Sequence, residues 1–350
     1  MLDPARQTPA ALPDGHPPVL AVIVDTEEEF DWTRPLSRAN RGVTAIAGVE
    51  PAHEAVFDPL GLRPDYVIDY PVAADPAAMA LFRRLQDEGR ASIGAHLHPW
   101  VNPPETEAVT PANSYPGNLP RALEEAKLRV LTDVIAQGLG RRPTLYKAGR
   151  YGAGPNTAAL LEAEGYEIDA SVVPHVSFAA DGGPDFRRLG LAPSWFGTQR
   201  RLLELPLTSG FCGFGRRLGP GLYGPVTSPI GRRLKAQGIL SRLGVMERIR
   251  LTPEGSTTEE MQRLIRALLA DGHRIFTLTF HSPSLVPGHT PYVRDGDDLA
   301  VFLAAIRDTA AWFRDHLGGT FRTAGEIRAL CREAAAAPSA IPSAFMKRAS

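Results

Sequence analysis

Val19-Leu-Ala-Val-Ile-Val-Asp-Thr-Glu27 runs six apolar residues directly into two carboxyl side chains. An unbroken apolar run rich in β-branched residues marks a strand covered on both faces, as in a parallel sheet flanked by helices. The same rhythm continues along the chain. Short apolar strands are expected at 66–69, 91–96, 144–146, 166–169, 201–205 and 274–280, and amphipathic helices at 76–88, 121–137, 157–164, 257–270 and 297–317. Asp75 is placed to cap the first of these helices, with Pro76 at its first position. Strand-then-helix alternation predicts an α/β chain, specifically a distorted (β/α) barrel of about seven mainly parallel strands. The expected domain covers residues 19–333, between a flexible segment 1–18 and a flexible tail 334–350. The Gly-, Pro- and aromatic-rich stretches 101–120 and 176–228 are expected to be long loops over one rim.

Composition narrows the chemistry. The 350 residues carry 38 basic and 39 acidic side chains, for a net charge of −1. That balance argues against nucleic acid or an anionic membrane as the main partner, since both need a basic field. With 43% hydrophobic residues, the chain can bury a large core and is not a disordered one. Cys212 and Cys331 are the only cysteines and lie far apart, so a disulfide framework or cysteine zinc cage is not expected. A metal would be held by His, Asp and Glu, and there are nine histidines to consider. No apolar run approaches the roughly 20 residues of a bilayer span, and residues 1–18 contain no apolar export signal. The expectation is a cytoplasmic protein.

In a parallel barrel, reactive groups sit where strands end. Reading those ends gives Asp25 and Glu27, then His96 and His98, then Lys147, Arg150 and Tyr151, then Asp169, and finally His281. His96 and His98 stand at i and i+2 on an extended segment, so their rings point to one side and can grip one ion. The plain alternative is two half-buried histidines bonded to backbone. Asp25 and Glu27 share the same spacing, and two carboxylates there need a cation or a proton to balance them. One could complete a His₂-carboxylate site with a fourth position open to water, and the other could act as general base. Glu28 and Glu29 read as solvent-facing or supporting residues. His281 is suited to protonating an amine near neutral pH. Arg150 or Lys147 could hold Asp25 charged, and backbone N–H groups around Gly149 and Gly152 could face an oxyanion. Asp169 could orient one of these cations or simply cap its strand.

The ordered set Val24-Asp-Thr-Glu27, Gly94-Ala-His-Leu-His-Pro-Trp100, Lys147-Ala-Gly-Arg-Tyr-Gly152 and Leu278-Thr-Phe-His281 resembles the motifs of the polysaccharide deacetylases, carbohydrate esterase family 4 with its NodB-homology domain. Phe280-His-Ser-Pro-Ser-Leu285 makes the likeness greatest to the WalW-type branch. The resemblance extends from about Val19 to Ala329 and implies metal-dependent hydrolysis of an N-acetyl group, often on an amino sugar. On it, Asp25 matches the catalytic base, Glu27, His96 and His98 the metal ligands, and His281 the general acid. Lys147 or Arg150 matches the arginine of the third motif, and Tyr151 the residue whose N–H faces the oxyanion. Trp100, Lys147 and Asp169 are further candidates for contact with substrate. The cofactor implied is a divalent ion, zinc first, with cobalt, nickel or manganese as alternatives. Three features depart from the family pattern: H-x-H replaces H-x-x-x-H, Asp-x-Glu replaces Asp-Asp, and Lys147 replaces Arg. The expected substrate is an N-acetylated sugar or polysaccharide. A metal-dependent amidohydrolase of small amides and a non-catalytic glycan-binding relative are the alternative readings.

Overall fold

A computed structural model describes residues 3–199 and 201–336. Seven strands form one parallel array: β1 (Val19–Thr26), β2 (Asp65–Ile68), β3 (Ser92–Leu97), β4 (Leu145–Ala148), β5 (Ile168–Asp169), β6 (Leu202–Glu204) and β7 (Ile275–His281). Their order in the sheet is β6-β5-β4-β3-β2-β1-β7, and each neighbouring pair is parallel. The predicted strands all occur, with ends moved by one or two residues. Ser194–Phe196 adds an antiparallel edge to β6, Thr8–Pro9 pairs with it in turn, and Thr320–Phe321 pairs with β1. Thr8–Pro9 falls in the segment 1–18 that was expected to be flexible. Of the expected tail, Ala334 to Ala336 end a helix, and 337–350 lie outside the described residues.

The barrel closes between β6 and β7 through side chains instead of a ladder. Thr208 and Thr277 each accept the other's backbone N–H at 2.8 Å, and the Thr277 hydroxyl donates to the Pro206 carbonyl at 2.9 Å. This is the distortion of the barrel: one seam is stitched by threonines.

Side-chain parity sorts every strand into an inner and an outer face. Val19, Ala21 and Ile23 of β1 join Val67, Leu145, Leu203 and Ile275 in an inner cluster. Leu20, Val22 and Val24 face the helices together with Tyr66, Ala95, Tyr146 and Phe280. Continuing the alternation turns Asp25, His96, Lys147 and His281 inward at the C-terminal ends of their strands. Helices Pro76–Asp87, Arg121–Leu139, Thr157–Glu164, Thr258–Ala270 and Gly296–Leu317 cover the outside. Asp75 caps the first by accepting from Ala78 N–H at 2.8 Å, and Thr257 and Glu260 form a capping box on the fourth. No helix among the described residues is long and apolar enough to cross a membrane.

The stretch 176–228 differs from the expected loop. It contains Ser209–Cys212, which forms an antiparallel hairpin with Glu247–Arg250, and short helices Gly219–Thr227, Pro229–Arg233 and Ala236–Arg242 lie between the two strands. Seven of its residues are glycine or proline between Gly213 and Pro225, which masks the helical periodicity from a sequence reading.

Candidate metal centre

The inward-facing strand ends converge on a pocket of about 620 Å³. At its floor, Glu27 Oε2 lies 3.5 Å from His96 Nε2 and 3.4 Å from His98 Nε2. All three side chains are buried. The other ring nitrogens are already engaged: His96 Nδ1 is 3.0 Å from the Lys147 carbonyl, and His98 Nδ1 is 2.7 Å from Glu28 Oε2. A proton on each Nδ1 leaves both Nε2 lone pairs aimed at Glu27, which is the tautomer a metal ligand needs. Burial lowers both imidazole pKa values, that of His98 to about 4, so the rings stay neutral.

These residues fit a divalent ion. Glu27 Oε1 is buried with no hydrogen-bond partner among the described residues, and burial, reinforced by Asp25, raises the Glu27 pKa. An unpartnered buried carboxyl oxygen beside two imidazole lone pairs is costly without a cation or a proton, and an ion satisfies all three groups at once. A second trio, Glu28, Asp69 and His98, is just as close-packed but already saturated. Glu28 accepts from Trp100 Nε1–H at 2.6 Å as well as facing His98, and Asp69 accepts the N–H groups of Glu28 at 2.7 Å and Val72 at 2.9 Å. Its role is to orient His98.

Gly149 is needed for this packing. A Cβ there would sit 2.4 Å from the Leu97 carbonyl oxygen and 2.5 Å from His98 Cδ2, so any larger residue would push on the ligand ring. Beyond it, Arg150 and Tyr151 both take left-handed backbone conformations, φ 52° and 62°, and such strain clusters at functional sites.

Beside the ligand trio, Lys147 Nζ donates to Asp25 Oδ1 at 2.5 Å and Oδ2 at 2.6 Å, and to Thr279 Oγ1 at 3.3 Å. Burial alone would raise the Asp25 pKa, but Lys147, His96 and His281 outweigh it and hold the carboxyl below its ordinary value. His281 Nε2 is 3.8 Å from Asp25 Oδ2, and His281 Nδ1 is 2.7 Å from Glu254 Oε2. Desolvation opposes charge on His281, yet Glu254, Glu27 and Asp25 together raise its pKa well above the ordinary value.

No family model matches the sequence, and no curated protein matches it. Among solved structures, a protein assigned as a polysaccharide deacetylase from Mycobacterium smegmatis is similar with a TM-score of 0.50 and 16% identity, over 93% of this chain and 95% of its own. Another assigned so, from Pseudomonas aeruginosa PAO1, also reaches 0.50 at 13% identity, over 90% and 91%. This chain has the polysaccharide deacetylase fold.

On the deacetylase fold, the expected site residues separate into two groups. Asp25, Glu27, His96, His98, Lys147, Tyr151 and His281 come together around the pocket floor. Arg150, Trp100 and Asp169 take other places. The left-handed turn sends the Arg150 guanidinium away from Asp25, to Ser114, Asp181 and the face of Tyr115, at the pocket's outer wall. Trp100 is 2% exposed and stacks on His98 at 4.3 Å, so it supports the ligand ring. Asp169 forms no ion pair among the described residues; it accepts from Ser171 Oγ at 2.7 Å, and that hydroxyl accepts Ala148 N–H at 2.8 Å, fixing the end of β4.

Sequence reading passes over two members of the site, Asp69 and Glu254, and leaves a third, Glu28, open between a solvent-facing and a supporting place, of which the structure shows the second. Asp69 ends β2 as the other candidates end theirs, so strand-end inspection could have found it. Glu28 was placed among solvent-facing or supporting residues and proves fully buried. Glu254 lies in the turn after an unrecognised strand, and no local pattern marks it.

Proposed function

We propose that this chain is a metal-dependent hydrolase that removes the acetyl group from an N-acetylated sugar or polysaccharide, of the WalW-type branch. The observation that carries the reading is the buried Glu27 carboxylate shared between two inward-aimed imidazoles, with one oxygen left unpartnered. Glu27, His96 and His98 would hold the ion, and a His₂-carboxylate set suits zinc, with cobalt, nickel or manganese as substitutes. When bound, the ion supplies Lewis acidity to the attacking water and the acetyl carbonyl.

The chain's own groups divide the proton work. Asp25, kept as a carboxylate by Lys147, takes a proton from the attacking water as its oxygen bonds to the acetyl carbon. Lys147 spans both Asp25 oxygens and so fixes the orientation of the base. The backbone N–H of Tyr151, in its left-handed turn, is assigned to the oxygen on which charge develops. His281, held protonated by Glu254, gives its proton to the departing nitrogen as the C–N bond breaks. Acetate and a free amine result. Trp32, edge-on to His281 at 5.1 Å, and Tyr292, edge-on to Trp32 at 5.9 Å, offer apolar surface at the mouth for a sugar ring.

A substrate panel tests the reading. N-acetylated oligosaccharides are expected to release acetate in a reaction that a chelator stops. Turnover of small cyclic imides or formamides, with none of N-acetyl sugars, would replace it with the amidohydrolase alternative.

A further inference from the structure

The near-neutral total charge hides a basic, greasy insert. Between Phe214 and Met246 the sequence holds six Arg or Lys residues and no Asp or Glu. Seven of the ten large apolar side chains exposed among the described residues fall in the same span, with Phe214 79%, Ile230 73% and Leu243 66% exposed. The three short helices of the insert pack on one another, so these groups belong to one unit. Arg216 and Arg217 pair with Asp271 at 2.9 and 3.6 Å. Glu247, the nearest acid at the other end, is taken by Arg263 and Ser241. Arg233, Lys235 and Arg242 are exposed with no ion-pair partner among the described residues.

We infer that this insert docks the enzyme on an anionic lipid bilayer. Exposed aliphatic side chains interleaved with unpaired cations are the composition of an interfacial helix, in which the apolar groups enter the acyl boundary and the cations meet lipid headgroups. A second copy of the chain fits poorly, since a symmetric contact would set the unpaired Arg233, Lys235 and Arg242 of one copy against those of the other with no acid in the span to offset them. Nucleic acid would meet the cations but leave Ile230, Leu234 and Leu243 without apolar contact.

The insert is tied to the pocket. It grows from the hairpin at the Cys212–Glu247 end, while the Ser209–Arg250 pair at the other end lines the pocket. Three residue steps separate these pairs, about 10 Å along a strand. Docking would therefore bring the pocket mouth close to the lipid surface, whatever bond the pocket hydrolyses.

The test is co-sedimentation of the full chain with vesicles of phosphatidylcholine alone or mixed with phosphatidylglycerol. Binding is expected only to the mixed vesicles and is expected to fall as salt is added. Each basic residue near an anionic surface strengthens binding about fivefold, so Arg233→Glu with Lys235→Glu should weaken it by about 25-fold or more. Ile230→Ser with Leu234→Ser should also release the protein. Both double variants should keep wild-type metal content and soluble-substrate turnover, which shows that they fold. Equal binding to both vesicle types, or to neither, would overturn the inference. So would a wild-type dimer in sedimentation velocity that the apolar variant converts to monomer.

Discussion

Lys147 Nζ sits 2.5 and 2.6 Å from the two carboxylate oxygens of Asp25, and both side chains are buried. This pair sets the charge state of the proposed base. Replacing Lys147 by Met removes the main favourable charge, so the Asp25 pKa rises. A base works only above its pKa, so the acidic limb of the activity profile should move to higher pH. Turnover at neutral pH should fall about 10²–10⁴-fold. Breaking a buried pair also costs about 3–5 kcal/mol of stability, readable as a lower denaturation midpoint. Lys147→Arg should recover more activity than Lys147→Met.

Glu254 acts on the opposite limb. It lies 2.7 Å from His281 Nδ1 and is the leading favourable influence on the charged ring. Glu254→Gln keeps a hydrogen-bond partner but removes the charge, so the His281 pKa falls. A general acid is lost as pH rises through its pKa, so the alkaline limb should move to lower pH. A pH profile of kcat/KM checks this, and an unchanged alkaline limb would detach His281 from the proton transfer.

Glu28 never reaches the proposed ion but faces His98 Nδ1 at 2.7 Å. Glu28→Ala should weaken metal affinity about 10–100-fold, the usual cost of losing a partner that orients a ligand. Chelator competition reads the affinity directly.

Gly149→Ala tests the close approach at the ligand ring. The new methyl would meet rigid backbone at Leu97 and the ring of His98. Overpacking of this kind costs about 1–3 kcal/mol, and metal affinity should fall with stability.

Much of this was legible in the sequence because strand parity carries over from core to site. Val19, Ala21 and Ile23 face inward, so Asp25 must follow them, and the same alternation turns His96, His98, Lys147 and His281 to the interior. Choosing between Lys147 and Arg150 as the partner of Asp25 needed the backbone, since the left-handed φ at Arg150 redirects its side chain. Glu28 looked like one more acid in a polar run, and its burial depends on Trp100 and Asp69, which arrive from distant strand ends. The 214–245 insert was illegible for another reason: most of its large apolar residues stay exposed and show no periodicity against a core.

The central claim, that Glu27, His96 and His98 hold an ion that the reaction needs, is tested most directly by metal analysis of purified wild type, His98→Ala and His281→Ala alongside turnover. The account predicts about one divalent ion per chain in wild type and in His281→Ala, little in His98→Ala, and turnover in wild type alone. A metal-free wild type that gains no activity with zinc, cobalt, nickel or manganese, or equal metal in both variants, would contradict it.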